Sequence, residues 1–217
     1  MTTNKHRALA KNYLAHLLKG DRNQAIDTIL KEVNAGMRLE DVYLDVLQPA
    51  LYEVGRLWQL DEIDIVIEHY CTAATQLLMA QLFPYALNSQ HTGLHMVGCC
   101  LGSELHEIGM RMICDLLELD GWDTYFIGAI TPGKSLLRTL EEQRPDLLCL
   151  SSTMQFGVGQ IRDVITDIRA NRDLAKTKIM VGGLAFNLNP TLADRVGADA
   201  TAVNAREAVD VARSIMP

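Results

Sequence analysis

The chain has 217 residues, 48% of them apolar and 22% charged, a mix too rich in core-forming side chains for a disordered protein and long enough for one large core or two small ones. Twenty Lys and Arg stand against 27 Asp and Glu, and the net charge of −7 with no basic run excludes nucleic-acid binding driven by the chain's own charge. No apolar h-region follows the polar start, and no apolar stretch approaches the roughly 20 residues that cross a bilayer, so the expectation is a cytoplasmic protein with no membrane partner.

Residues 1 to about 87 read as helix. Tyr13, Leu14, Leu17 and Leu18 form an apolar stripe at helical spacing. Gly20-Asp21 ends that segment, and Asp21 or Asn23 is placed to cap the next, which carries Ala25, Ile26, Ile29, Leu30 and Val33. A third helix is expected from about Leu39 past Leu51, and a fourth from about Asp61 to Phe83, closed by Pro84. Short connections between four helices predict a bundle. The polar, turn-forming segment 88–93 reads as a linker, giving expected domains at 1–88 and 89–217.

Beyond the linker the period changes. Strands are expected at His95–Leu101, Tyr125–Ile127, Leu147–Leu150, Ile179–Val181 and Ala200–Val203, with helices at Glu107–Leu119, Gly133–Gln143, Val158–Ala170, Thr191–Val196 and Arg206–Ile215. Apolar strands alternating with helices predict a five-stranded parallel sheet, covered on both faces, of the flavodoxin-like doubly wound type. The five Cys, at 71, 99, 100, 114 and 149, are odd in number and mostly set in apolar runs, which predicts reduced buried thiols. No Cys-x-x-Cys occurs, and Cys99-Cys100 reads as buried strand, not metal site.

In such folds the ligand lies beyond the C-terminal strand ends. The first loop there contains Glu104-Leu-His106-Glu-Ile-Gly109, the second Ser151-Ser-Thr153, the third Gly182-Gly183. A loop His can ligate a metal, and a nearby carboxylate can hold its other ring nitrogen. Each feature alone is ordinary.

Together, in this order, they resemble the cobalamin (vitamin B12)-binding domain of methionine synthase, base-off mutases and corrinoid methyltransferase proteins. That family carries Asp-x-His-x-x-Gly, then Ser-x-Leu or Ser-x-Thr, then Gly-Gly. The resemblance covers about residues 94–217, and the helical half suits the family's cap bundle. It implies that His106 is the lower axial cobalt ligand in a base-off, His-on arrangement. Leu105, Ile108 and Gly109 would flank it. The displaced nucleotide tail would run into a slot lined by Ser151, Thr153, Gly182 and Gly183, and Glu104 and Ser151 would tune His106. Glu104 departs from the family's Asp by one methylene, which changes its reach.

In the helical half, Trp58 is followed ten residues later by Glu68-His69. Trp-x9-Glu-His resembles the signature of adenosylcobalamin-dependent light-sensing regulators, in which these residues meet the upper axial group. Some of those sensors have a His directly after the Trp, whereas Gln59 stands here. The resemblance implies a stand-alone photoreceptor, not an enzyme, binding adenosylcobalamin and acting through oligomerisation or a separate DNA-binding repressor. The alternatives are a corrinoid shuttle protein of a methyltransferase system and a sensor that holds haem on His106.

Overall fold

A computed structural model describes residues 4–87 and 90–216. The expected linker begins on Asn88 and Ser89, which lie outside the described residues. The chain divides into two compact units, Met1–Ala86 and Leu87–Pro217.

The first unit is a helical bundle: α1 (Asn4–Leu18), α2 (Arg22–Asn34), a continuous helical run from Leu39 to Gln59, and α5 (Ile65–Leu82). The run consists of α3 (Leu39–Val42), a π-helical turn at Tyr43–Leu47 and α4 (Gln48–Gln59). The π turn is fully buried and packs against α1. Asp21 caps α2 by accepting from Gln24 N–H at 3.2 Å. The fourth helix starts later than its sequence suggests. Asp61 adopts a left-handed φ of 56°, and Asp64 caps α5 by accepting from Val66 N–H at 2.8 Å. The apolar stripes meet inside, with Tyr13, Leu17, Ile29, Leu47, Leu78 and Leu82 almost wholly buried. Tyr13 keeps its hydroxyl satisfied by bonding Thr75 Oγ1 at 2.9 Å.

The second unit is a five-stranded parallel sheet: β1 (His95–Leu101), β2 (Asp123–Thr131), β3 (Leu147–Ser151), β4 (Lys178–Gly182) and β5 (Ala200–Ala202), in the order β2-β1-β3-β4-β5. The connecting helices are α6 (Ile108–Leu119), α7 (Gly133–Gln143), α8 (Gly157–Ala170), α9 (Leu184–Leu188), α10 (Thr191–Val196) and α11 (Ala205–Ile215). Strand residues alternate between two cores. Val97, Cys99, Leu148, Leu150, Ile179 and Val181 face α7, α8 and α10. Met96, Cys100, Leu147, Cys149 and Met180 face α6, Trp122 and α11. Burial on both sides is why these strands read as unbroken apolar runs.

Two elements depart from the sequence reading. The second strand is nine residues long, not three, and runs on through Gly128 and Ala129 to Thr131. It pairs with β1 in broken register, from Gly98↔Phe126 to Cys99↔Gly128 to Leu101↔Thr131, so β2 gains two residues on its neighbour. A short helix, α9, follows Gly183 in what the sequence reads as a loop. All five Cys are free and buried. Burial is the main influence on each of the four in the sheet unit, raising their pKa values, so they are packing groups and not nucleophiles.

Candidate functional site

The strand order reverses between β1 and β3, and the loops leaving these neighbours diverge to opposite faces. The β1–α6 loop crosses this point. Glu104 N–H returns to Leu101 O at 3.2 Å, and Glu107 N–H closes onto Leu105 O at 2.9 Å. His106 is therefore the middle residue of a three-residue turn just before α6. Its side chain is 57% exposed, whereas that of Glu104 is 2% exposed.

Glu104 reaches His106 in spite of its longer side chain. Oε1 lies 2.5 Å from His106 Nδ1 and accepts from His106 backbone N–H at 3.1 Å. A carboxylate can only accept, so the proton of a neutral imidazole sits on Nδ1. The lone pair of Nε2 is then the one available to a metal. The other oxygen, Oε2, accepts from Thr153 N–H at 2.8 Å and Met154 N–H at 3.1 Å, with Ser152 Oγ at 3.5 Å. One side chain thus ties the β1 loop to the β3 loop across the switch point. Burial raises the Glu104 carboxyl, but the hydrogen bonds from His106, Met154 and Thr153 outweigh it and hold the group below the usual carboxylate range.

The hydroxyl beside Glu104 belongs to Ser152. Ser151 instead pairs in register with Gly182, and the Cys100 thiol donates to His106 O at 3.7 Å. Gly183 stands where a side chain would meet the backbone of the β3 loop. Its φ is 95°, and a Cβ would stand 2.5 Å from Ser152 O and 2.9 Å from Ser151 Oγ. Gly109 is different: nothing of the protein lies within 4 Å of where its Cβ would be. Leu105 is exposed and Ile108 half-buried. Each strand end carries an exposed apolar residue: Leu105 after β1, Ile130 in β2, Met154 after β3, Leu184 after β4 and Val203 after β5. Such a rim suits a broad apolar ligand. A hollow lined by His91, His95, Glu118 and Asp123 opens at the opposite, N-terminal edge of the sheet.

In the bundle, Trp58 stands in the last turn of α4 and is 42% exposed. Glu68 and His69 lie near the start of α5 and touch each other: Glu68 Oε2 is 2.6 Å from His69 Nδ1, while Glu68 Oε1 accepts from Thr72 Oγ1 at 2.9 Å. The His69 imidazole is held as His106 is, by a carboxylate on Nδ1. Sequence reasoning missed Ser152, Met154 and Glu107. Two of them act partly or wholly through the main chain, which residue type does not reveal.

Among the described residues no group of three or more His, Cys, Asp or Glu could hold a metal ion. A single exposed imidazole is too few ligands for a bare ion, but it can complete the coordination of a metal that arrives inside a macrocycle. The oriented His106, the open space at Gly109 and the apolar rim fit such a group.

A family model described as a B12 binding domain matches residues 94–212, and a second of the same description matches residues 9–83. The chain is 29% identical to dimethylamine corrinoid protein 2 of Methanosarcina acetivorans, over 76% of this chain and 74% of that one. It is 25% identical to the HTH-type transcriptional repressor CarH of Myxococcus xanthus, over 79% of this chain but 56% of the repressor. Its fold matches that of the monomethylamine corrinoid protein of Methanosarcina barkeri with a TM-score of 0.84, at 19% identity and covering 99% and 100% of the two chains. These likenesses overturn the expected photoreceptor. Corrinoid proteins recur among the relatives and match over most of their length, whereas the repressor matches over little more than half of its own. Among the described residues no helix is long and apolar enough to cross a membrane.

Proposed function

The chain belongs to the B12-binding domain family, and from that premise we propose that it is a corrinoid shuttle protein of a methyltransferase system. The buried Glu104 carboxylate holding Nδ1 of the exposed His106 supports cobalamin binding, and the recurrence of corrinoid proteins among the relatives, matched over most of their length, carries the shuttle role. Cobalamin would be held by His106 through the Nε2 lone pair that Glu104 leaves free. Leu105, Ile108 and Gly109 would lie against the cofactor, and Ser151, Thr153, Gly182 and Gly183 would hold its nucleotide tail. When bound, the corrinoid supplies a cobalt centre that accepts and gives up a methyl group. The chain's own residues bind and orient. Glu104 fixes the tautomer of His106 and makes its imidazole a stronger donor. Its bonds to Thr153 and Met154 keep the β3 loop closed on the same site.

Trp58, Glu68 and His69 are proposed as the bundle's contribution toward the upper group. On the shuttle reading that group is a transferable methyl, in place of the adenosyl implied by the bundle signature. The partner is a methyltransferase, in place of a DNA-binding repressor. Methylated amines are the proposed donor class, supported by the names of the relatives. The chain works as a subunit and is not a catalyst by itself.

The test is methyl transfer by the loaded protein. Reduced, cobalamin-loaded protein is mixed with mono-, di- or trimethylamine, with and without a donor-specific methyltransferase. Methyl uptake by mass spectrometry should require the enzyme, and His106→Ala should weaken cobalamin retention. Tight cobalamin binding with no uptake from any methyl donor counts against the shuttle role.

A further inference from the structure

The loop that presents His106 is held on two sides. Glu104 ties it to the β3 loop, and the opposite seam runs to the end of β2. There Gly102 N–H donates to Thr131 O at 3.0 Å, Ile130 N–H to Glu104 O at 3.1 Å, and Ala129 N–H to Glu107 Oε2 at 2.7 Å. Glu107 directly follows His106 and occupies the N-cap position of α6, yet its side chain makes no cap bond to the helix. The carboxylate reaches the strand instead.

The strand is shaped to receive it. Its two extra residues fall between Phe126 and Thr131. A bulge leaves a strand residue without its ladder partner, and Ala129 N–H finds its acceptor in Glu107. Gly128 has a φ of 96°, and a Cβ on it would stand 2.9 Å from Glu107 Oε2, so the glycine makes room for the carboxylate. Ile130, also left-handed at 53°, is in a conformation that a β-branched residue seldom adopts without constraint. The constraint is the bond from its own N–H to Glu104 O together with that from the preceding Ala129 N–H to Glu107.

Resting on the reading that His106 ligates the cobalt of bound cobalamin, we propose that Glu107 is a positioning residue: its carboxylate locks the double bulge of β2 against the β1–α6 loop and so holds the His106 turn in its metal-facing orientation. Glu107 acts through the backbone on which His106 stands and does not touch the ligand itself.

The full chain is compared as wild type, Glu107→Ala and Glu107→Gln. In cofactor-free protein, amide exchange at Ala129 and Ile130 should be slow in wild type and in the Gln variant, whose side-chain carbonyl can still accept. It should be about tenfold faster in Glu107→Ala. After loading with cob(II)alamin, the change in nitrogen superhyperfine splitting in the electron paramagnetic resonance spectrum on nitrogen-15 labelling of the protein's histidines reports imidazole coordination apart from the cofactor's own base. Glu107→Ala should lower that fraction and raise cobalamin dissociation about tenfold, with Gln restoring both. Equal coordination and dissociation in all three proteins overturns the proposal. So does a Gln variant as impaired as the Ala variant, because charge and not the bond to Ala129 would then be responsible. Should Glu107→Ala fail to fold, Gly128→Ala presses on the same oxygen and must show the same loss; unchanged coordination there overturns the proposal. A wild type whose splitting is unchanged by the labelling removes His106 as ligand and this proposal with it, while exchange at Ala129 still tells whether the seam exists.

Discussion

Replacing Glu104 by Gln separates what this residue does for the fold from what it does for His106. The carboxylate accepts on both oxygens: Oε1 from His106 Nδ1 and N–H, Oε2 from Thr153 and Met154 N–H. An amide has one accepting oxygen. With that oxygen toward Thr153 and Met154, the NH2 faces His106 Nδ1, which must give up its proton to accept. The proton then moves to Nε2 and covers the lone pair the metal needs. The flipped amide keeps the tautomer but sets its NH2 against the N–H donors of Thr153 and Met154. The first arrangement leaves one backbone donor unpaired, His106 N–H, and the flipped one leaves two; at about 1–3 kcal/mol for each, the first is favoured. Exchanging charge-assisted bonds for neutral ones costs about 1–2 kcal/mol of stability. Cobalamin affinity should fall further, about 10- to 100-fold, as when a ligand His loses its orienting carboxylate. Nitrogen-15 spectroscopy of the cofactor-free variant near pH 8 reads the tautomer, urea unfolding reads stability, and titration with cobalamin reads affinity. A Gln variant with Nδ1 still protonated and affinity unchanged would refute the reasoning.

Gly183→Ala forces a side chain into the left-handed region and against Ser152 O, so the variant should lose about 2–4 kcal/mol in denaturant unfolding; a loss below about 0.5 kcal/mol would contradict the geometry. Ile130→Gly removes left-handed strain of about 1–2 kcal/mol at an exposed site and adds a comparable unfolded-state entropy, so melting of the cofactor-free protein should stay level or rise slightly. A clear fall would mean that the Ile130 side chain supports the fold. The Glu104 carboxyl is held below its unfolded value, so its contribution to stability is complete above that value, about 4.3, and is lost as pH falls through the lower folded value. The gap in stability between wild type and Glu104→Gln should therefore close in acid, and a gap that widens there would reverse the assigned direction.

The strands β1, β3 and β4 were legible because burial on both faces leaves no polar alternation to confuse with helix. The end of β2 was not, because its two bulges place Gly128 and an exposed Ile130 where a regular strand would alternate. α9 hid behind Gly182-Gly183, which reads as a turn, although Gly183 N-caps a helix. Asp61 and Asp64 both resemble helix starts, and only the left-handed backbone at Asp61 decides for Asp64. At the site, His106 and Glu104 were legible from their two-residue spacing. Which serine stands by Glu104 was not, because Ser151 still follows the pleat of β3 and Ser152 has left it. The helical signature Trp58, Glu68 and His69 pointed to a particular upper group and hence to a regulator. The bundle that holds the pattern, residues 9–83, matches a B12 binding domain model, and both kinds of protein are among the relatives, so the pattern does not decide between regulator and corrinoid protein.

The bulged end of β2 also bears on how the molecule meets its neighbours. β2 is an outer strand, so one row of its backbone groups faces away from the sheet. A regular edge of nine residues invites a strand from another chain to add on. The register breaks bend that template out of line, and the opposite edge, β5, is only three residues long. Addition of a strand from another chain is thus disfavoured at both edges of the sheet.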